Sequence, residues 1–167
     1  AEYDIGSEVV LRSSLGFNLS QGAFNGFNEI TPENSEPNFT NSINENTNRF
    51  TDFTWSNTLR YSRQGGDHNY SLLLGQEMNR SSSRFISASM ANLISTDPSS
   101  WYVQDALGDA ATKNVSSTGG RSALLSFFGR ADYNYADRYV LSVTLRRDGS
   151  SNLGPDNRWG TFPAVGA

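Results

Sequence analysis

Apolar and polar residues alternate along several long stretches of the chain. Over residues 6–18, the odd positions carry mainly valine, leucine and phenylalanine, whereas the even positions carry mainly glycine, serine and charged residues. A period of two residues is typical of a β-strand with one apolar and one polar face. No stretch keeps a 3.6-residue period long enough to predict a helix. We therefore expect an all-β chain.

The same alternation recurs and predicts about six strands. They cover residues 7–19, 50–63, 68–79, 122–135, 138–148 and 159–167. Several of these strands are longer than the ~5–6 residues that are common in globular domains. The long connections between them are rich in asparagine, serine, glycine, proline and threonine, which predicts loops. These predicted loops cover residues 20–48, 80–121 and 149–158.

Short connections alternate with the long ones. Residues 64–67 and 136–137 are the short ones, and the first reads as a tight hairpin. Long structureless loops are uncommon in compact soluble domains. Outer-membrane barrels, in contrast, join their strands by short turns at one rim and long loops at the other. The pattern favours an antiparallel up-and-down meander of the kind that forms an outer-membrane β-barrel.

Tyrosines flank both short connections. Tyr61 and Tyr70 lie on either side of the first, and Tyr133, Tyr135 and Tyr139 lie around the second. Tyrosine rings collect at membrane–water boundaries because the ring favours hydrocarbon and the hydroxyl favours water. This placement supports the barrel interpretation, although sheet surfaces also favour tyrosine in general.

Composition excludes several classes of function. The 167 residues contain no cysteine and one histidine, His68, which removes disulfide scaffolds and multi-histidine metal sites. The net charge of −4 and the absence of a basic run argue against a nucleic-acid partner. The aspartates show no spacing that would pair them for acid–base catalysis. We expect no enzymatic activity, no cofactor and no bound metal.

Two sets of residues are candidates for function. The charged residues of the predicted polar faces are expected to point into a barrel lumen, to pair across neighbouring strands and to hold a plug domain. They are Glu8, Arg12, Arg60, Glu77, Arg130, Asp132, Arg146 and Asp148. The loop aromatics Trp101 and Tyr102 are candidate substrate-binding residues that could stack on a sugar or a peptide. The alternative is that such aromatics pack the loops against the rest of the chain.

Parts of the chain resemble a known family. Residues 124–151, with the sequence LLSFFGRADYNYADRYVLSVTLRRDGSS, and residues 157–163, NRWGTFP, are similar to a run found in the SusC/RagA family of TonB-linked outer-membrane transporters. Residues 58–61, TLRY, and 67–77, DHNYSLLLGQE, are similar to the hairpin that precedes this run in the family. About half of the chain shares this resemblance.

The resemblance implies a large, plugged transmembrane β-barrel in the bacterial outer membrane, with its loops extracellular. Residues 1–167 would form one wedge of that barrel. Members of the family import oligosaccharides or peptides in Bacteroidetes-type bacteria. They work with a SusD-like lipoprotein and are driven by the TonB system. This chain would contribute wall and loops, in contact with membrane lipid and with the rest of the barrel and plug domain. It contains no segment similar to the plug or to the TonB-contacting region.

Two other interpretations remain open from the residues alone. One is a complete small outer-membrane barrel, and the other is a secreted β-sandwich that binds glycans through its loops. A sandwich would bury the apolar faces against a second sheet, whereas a barrel wall leaves them uncovered within the chain. Because uncovered apolar faces associate, we expect the isolated chain to self-associate.

Overall fold

A computed structural model describes residues 1–103 and 108–167. Within them, the chain forms strands and three short 3₁₀ helices, at Pro98–Ser100, Ala110–Thr112 and Pro155–Asn157. The strands are β1 (Glu2–Ile5), β2 (Val9–Asn28), β3 (Ser42–Gly65), β4 (His68–Ala91), β5 (Asn114–Tyr135), β6 (Tyr139–Ser150) and β7 (Trp159–Gly166). None of the helices in this described part is long and apolar enough to cross a membrane.

The strands form one sheet in sequence order, from β1 to β7. Antiparallel registers run from Tyr135 opposite Tyr139 to Leu124 opposite Ser150 in the β5–β6 pair. Strand β7 continues the sheet with Val165 opposite Val143. The predicted all-β, antiparallel up-and-down meander is confirmed, because each strand pairs with the next one along the chain.

The predicted loops at 20–48 and 80–121 need correction, because strands extend deep into both. Strand β2 continues to Asn28 and β3 begins at Ser42, so only residues 29–41 connect them. Strand β4 continues to Ala91 and β5 begins at Asn114. These extensions lack apolar alternation, and the backbone ladder continues without it. The first strand, Glu2–Ile5, has only four residues and was not predicted.

The chain divides into two compact units. The first, here called the turn unit, comprises residues 1–18, 52–81 and 121–167. It holds both short turns, with positive φ angles at Gly66, Ala136 and Asp137. The second, here called the loop unit, comprises residues 19–51 and 82–120 and holds the two longest connections.

The two units bury very different amounts of apolar surface. In the described part of the loop unit, Ile43, Met90, Leu93 and Val103 form a small buried core. In the turn unit, the apolar face is open: the side chains of Leu15 and Phe17 are 70% and 69% exposed. No second layer from the same chain covers the apolar face in the described residues, as a sandwich would require.

Candidate functional site

The apolar face of the turn unit is a continuous surface. The register sets Val143 opposite Ala131 and Val165, and Leu145 opposite Pro163. Five apolar side chains of this face are exposed: Leu72, Leu74, Leu141, Val143 and Leu145. Contiguous exposed apolar patches mark a surface that is covered by a partner or by lipid. We therefore expect this face to be covered by a partner or by lipid.

The opposite face of the turn unit carries paired charges. The Nε atom of Arg146 donates to both carboxylate oxygens of Asp148 at 2.9 Å, and its Nη2 atom donates to the Ser126 hydroxyl at 3.1 Å. Ser126 is fully buried, and the Arg146 guanidinium lies 5.7 Å from the Phe128 ring centre. Arg146 is thereby fixed in one orientation from three sides.

The expected pairing across neighbouring strands is only partly correct. Arg130 pairs with Asp132 at 2.8 Å, and Arg146 pairs with Asp148, in both cases two residues along the same strand. The register explains this result, because Thr144 lies opposite Arg130 and Phe128 lies opposite Arg146. Among the described residues, Arg12 of β2 lies 4.0 Å from Glu2 of β1 and so pairs between strands. In the same part of the chain, Glu8 does not pair with a charge of the predicted polar faces: it lies 3.8 Å from Arg63, which follows the apolar positions of β3.

In the loop unit, the two candidate aromatics have different surroundings. The Trp101 ring stacks on Phe27 with centroids 4.6 Å apart, and its indole N–H donates to the Thr96 carbonyl at 3.3 Å. Trp101 also packs against the buried core. Tyr102 is 56% exposed. The Trp101 ring is therefore packed against Phe27 and the core of the loop unit, whereas the Tyr102 ring is accessible.

Asn41 joins the two long connections of the loop unit, and the sequence pattern did not single it out. Its side-chain amide donates to the Leu93 carbonyl at 2.9 Å, and its side-chain carbonyl accepts from the Leu93 N–H at 2.6 Å. Asn41 is 5% exposed. A single asparagine in an asparagine-rich loop gives no sequence signal, because its role depends on a partner far along the chain.

A polar recess lies beside Phe27 in the loop unit. Its volume is about 480 Å³, and it is lined by Phe27, Asn28, Glu29, Thr31, Asn38, Thr40 and Ser42. Asn38 donates to the Glu29 carbonyl at 2.5 Å, and Asn28 donates to the Ser42 hydroxyl at 3.0 Å. Hydroxyl and amide groups beside an aromatic ring can bind ligands rich in hydroxyls or amides.

Asp97 and Asp109 cap the 3₁₀ helices Pro98–Ser100 and Ala110–Thr112 of the loop unit. A hydrogen bond from the Ser99 backbone N–H, 2.8 Å from the Asp97 carboxylate, and a second one from the Ser99 side chain hold the pKa of Asp97 below its ordinary value. Among residues 1–103 and 108–167, no three His, Asp or Glu side chains cluster closely enough to hold a metal ion.

No family model matches the chain. TonB-dependent receptor SusC of Bacteroides thetaiotaomicron is 44% identical over 57 residues, which is 34% of this chain and 6% of that protein. TonB-dependent receptor P39 of Formosa agariphila is 29% identical over 161 residues, which is 94% of this chain and 15% of that protein. The chain thus spans a small part of the length of the curated relatives it matches.

A solved structure shares the fold. The structure of the RagAB peptide transporter superposes with a TM-score of 0.87 at 19% identity. The match covers 98% of this chain and 18% of that chain. The seven strands therefore correspond to part of a much larger β-barrel.

Proposed function

Because the chain belongs to the SusC/RagA family of TonB-dependent receptors, we propose that it forms barrel wall and ligand-capture loops of an outer-membrane nutrient importer. The observation that carries this proposal is the apolar face of the turn unit, which no described part of the chain covers. Hydrocarbon contact on that face and water contact on the face of Arg130 and Arg146 suit a wall between lipid and an aqueous lumen.

The long connections supply the second part of the proposed function. With the loops extracellular, the recess beside Phe27 and the exposed ring of Tyr102 would meet the incoming nutrient. Hydroxyl, amide and aromatic groups are suited to an oligosaccharide or a peptide. The plug domain, a SusD-like lipoprotein and the TonB system are the partners of the whole receptor in this proposal.

Cysteine labelling of the full-length receptor in whole cells tests the topology. The segment contains no cysteine, so Tyr102→Cys and Asp67→Cys each introduce a single thiol into it. We expect a membrane-impermeant maleimide to label Tyr102→Cys in intact cells and Asp67→Cys only after the outer membrane is permeabilised. The receptor without these substitutions measures background labelling. Labelling of Asp67→Cys in intact cells, with Tyr102→Cys protected, would overturn the proposed orientation.

A second experiment tests ligand capture at Tyr102. We expect Tyr102→Ala in the full-length receptor to weaken binding of the imported oligosaccharide or peptide by about three- to tenfold, because one aromatic contact is lost. Tyr102→Phe keeps the ring and serves as the matched control. Calorimetry on the purified receptor measures the change. Equal affinities of Tyr102→Ala and the unsubstituted receptor would remove Tyr102 from the capture surface.

A further inference from the structure

A groove lies within the apolar face of the turn unit. Its volume is about 550 Å³, and apolar side chains form most of its surface. Leu72, Ala131, Leu141 and Val143 line its apolar part. Ala131 is small, and the register sets it opposite the bulkier Val143. The depression is thus part of the surface that the proposed function places in the membrane.

One part of the groove is polar and is lined by Arg63 and Asp132. Asp132 pairs with Arg130. The Nε atom of Arg63 lies 3.8 Å from a carboxylate oxygen of Glu8, which lines an adjoining recess together with Arg63. The two side chains are 63% and 43% exposed, so both remain accessible to a ligand. This is an exposed pair of one guanidinium and one carboxylate beside an apolar depression.

Tyrosines surround the polar part. Tyr61, Tyr70 and Tyr133 all line the groove, and the Tyr70 and Tyr133 rings stack with centroids 5.2 Å apart. His68 holds the Tyr133 hydroxyl through its Nδ1 atom at 2.8 Å. Tyrosine clusters of this kind lie at the depth of lipid headgroups. The charged pair is therefore placed where headgroups lie, and the apolar part is placed where acyl chains lie.

We infer that this groove binds one phospholipid whose headgroup carries both a phosphate and a primary ammonium, as in phosphatidylethanolamine. Arg63 would donate to the phosphate, and Glu8 would accept from the ammonium. One acyl chain would lie along Leu72, Ala131 and Val143. Charge complementarity selects this occupant, because Arg63 in the groove and Glu8 beside it place a cation and an anion next to each other. The inference rests on the proposed function, which places this face in the bilayer.

Native mass spectrometry of the full-length receptor tests the inference. The purified, delipidated receptor is exposed in separate samples to phosphatidylethanolamine, phosphatidylcholine and phosphatidylglycerol. We expect one phosphatidylethanolamine to be retained at least about tenfold more strongly than either of the others. Phosphatidylcholine has no N–H to donate to Glu8, and phosphatidylglycerol has no cation. Equal retention of the three lipids, or retention of detergent alone, would overturn the inference.

Variants locate the binding. We expect Ala131→Leu, which fills the groove, and Arg63→Gln, which removes the cation, each to reduce phosphatidylethanolamine retention by about tenfold or more. Val9→Leu changes an apolar residue of β2 that does not line the groove and is the control. If Ala131→Leu fails to assemble, Arg63→Gln and Glu8→Gln decide the result. Unchanged retention in assembled variants would refute the site.

The two proposals fail in different ways. If cysteine labelling contradicts the orientation of the loops, the proposed function fails, and the lipid site then lacks the premise that the groove faces the bilayer. If the labelling agrees and lipid retention shows no selectivity, only the lipid site is refuted.

Discussion

We expect Val143→Arg in the full-length receptor to prevent most of the receptor molecules from assembling into a barrel in the outer membrane. Val143 lies midway between Tyr139 and Arg147 on the apolar face of β6, and its side chain is 44% exposed. Its cross-strand neighbours are Ala131 and Val165, so an arginine there has no carboxylate opposite it. An arginine facing lipid near the bilayer midplane costs about 2–4 kcal/mol.

Ser142→Arg is the matched control. It places the same side chain one residue earlier, on the opposite face of β6, where Asp132 lies directly across the ladder. We expect assembly of this variant to remain close to that of the unsubstituted receptor. The fraction of receptor that shows heat-modifiable migration in outer-membrane extracts measures assembly. Equal fractions for the two arginine variants would contradict the assignment of the apolar face to lipid.

Apart from β1, the strands of the turn unit could be predicted because each carries mainly apolar side chains on one face and mainly polar side chains on the other. The parts of β2 and β3 that extend beyond the predicted strands do not show this division into an apolar and a polar face. A Cβ added at Gly22 would meet the side chain of Asn48, and one added at Gly26 would meet that of Asn44. Polar and small residues face each other there, so no apolar period remains. Backbone hydrogen bonds continue regardless of side-chain type, and the sequence pattern does not report them.

The core of the loop unit was beyond prediction for a different reason. Ile43, Met90 and Val103 are far apart in the sequence, and their contact depends on the paths of two long connections. The expected cross-strand charge pairs show the same limit, because only the register reveals that Phe128, and not a carboxylate, lies opposite Arg146. Local alternation specifies which face a residue occupies. The identity of its neighbours requires the register.

The long connections are expected to separate when Asn41 is replaced by leucine. The substitution removes both side-chain hydrogen bonds to Leu93 and leaves the N–H and carbonyl of that residue buried without these partners. Each unsatisfied buried group costs about 1–3 kcal/mol, so the two together destabilise the loop unit by about 2–6 kcal/mol. The backbone bond from Asn92 to the Asn41 carbonyl, 3.0 Å long, would not hold the segment alone.

Amide hydrogen exchange of the full-length receptor measures this change by peptide. In Asn41→Leu, we expect peptides covering residues 92–103 to lose protection, with the strands of the turn unit unchanged. Asn34→Leu alters an exposed asparagine of the same connection and is the control. Asn41→Asp keeps an acceptor for the Leu93 N–H but loses the amide donor to the Leu93 carbonyl. We expect its protection to lie between that of Asn41→Leu and that of Asn34→Leu. If Asn41→Leu retained full protection, other contacts would have to hold the two connections together, and the buried amide would not be their anchor.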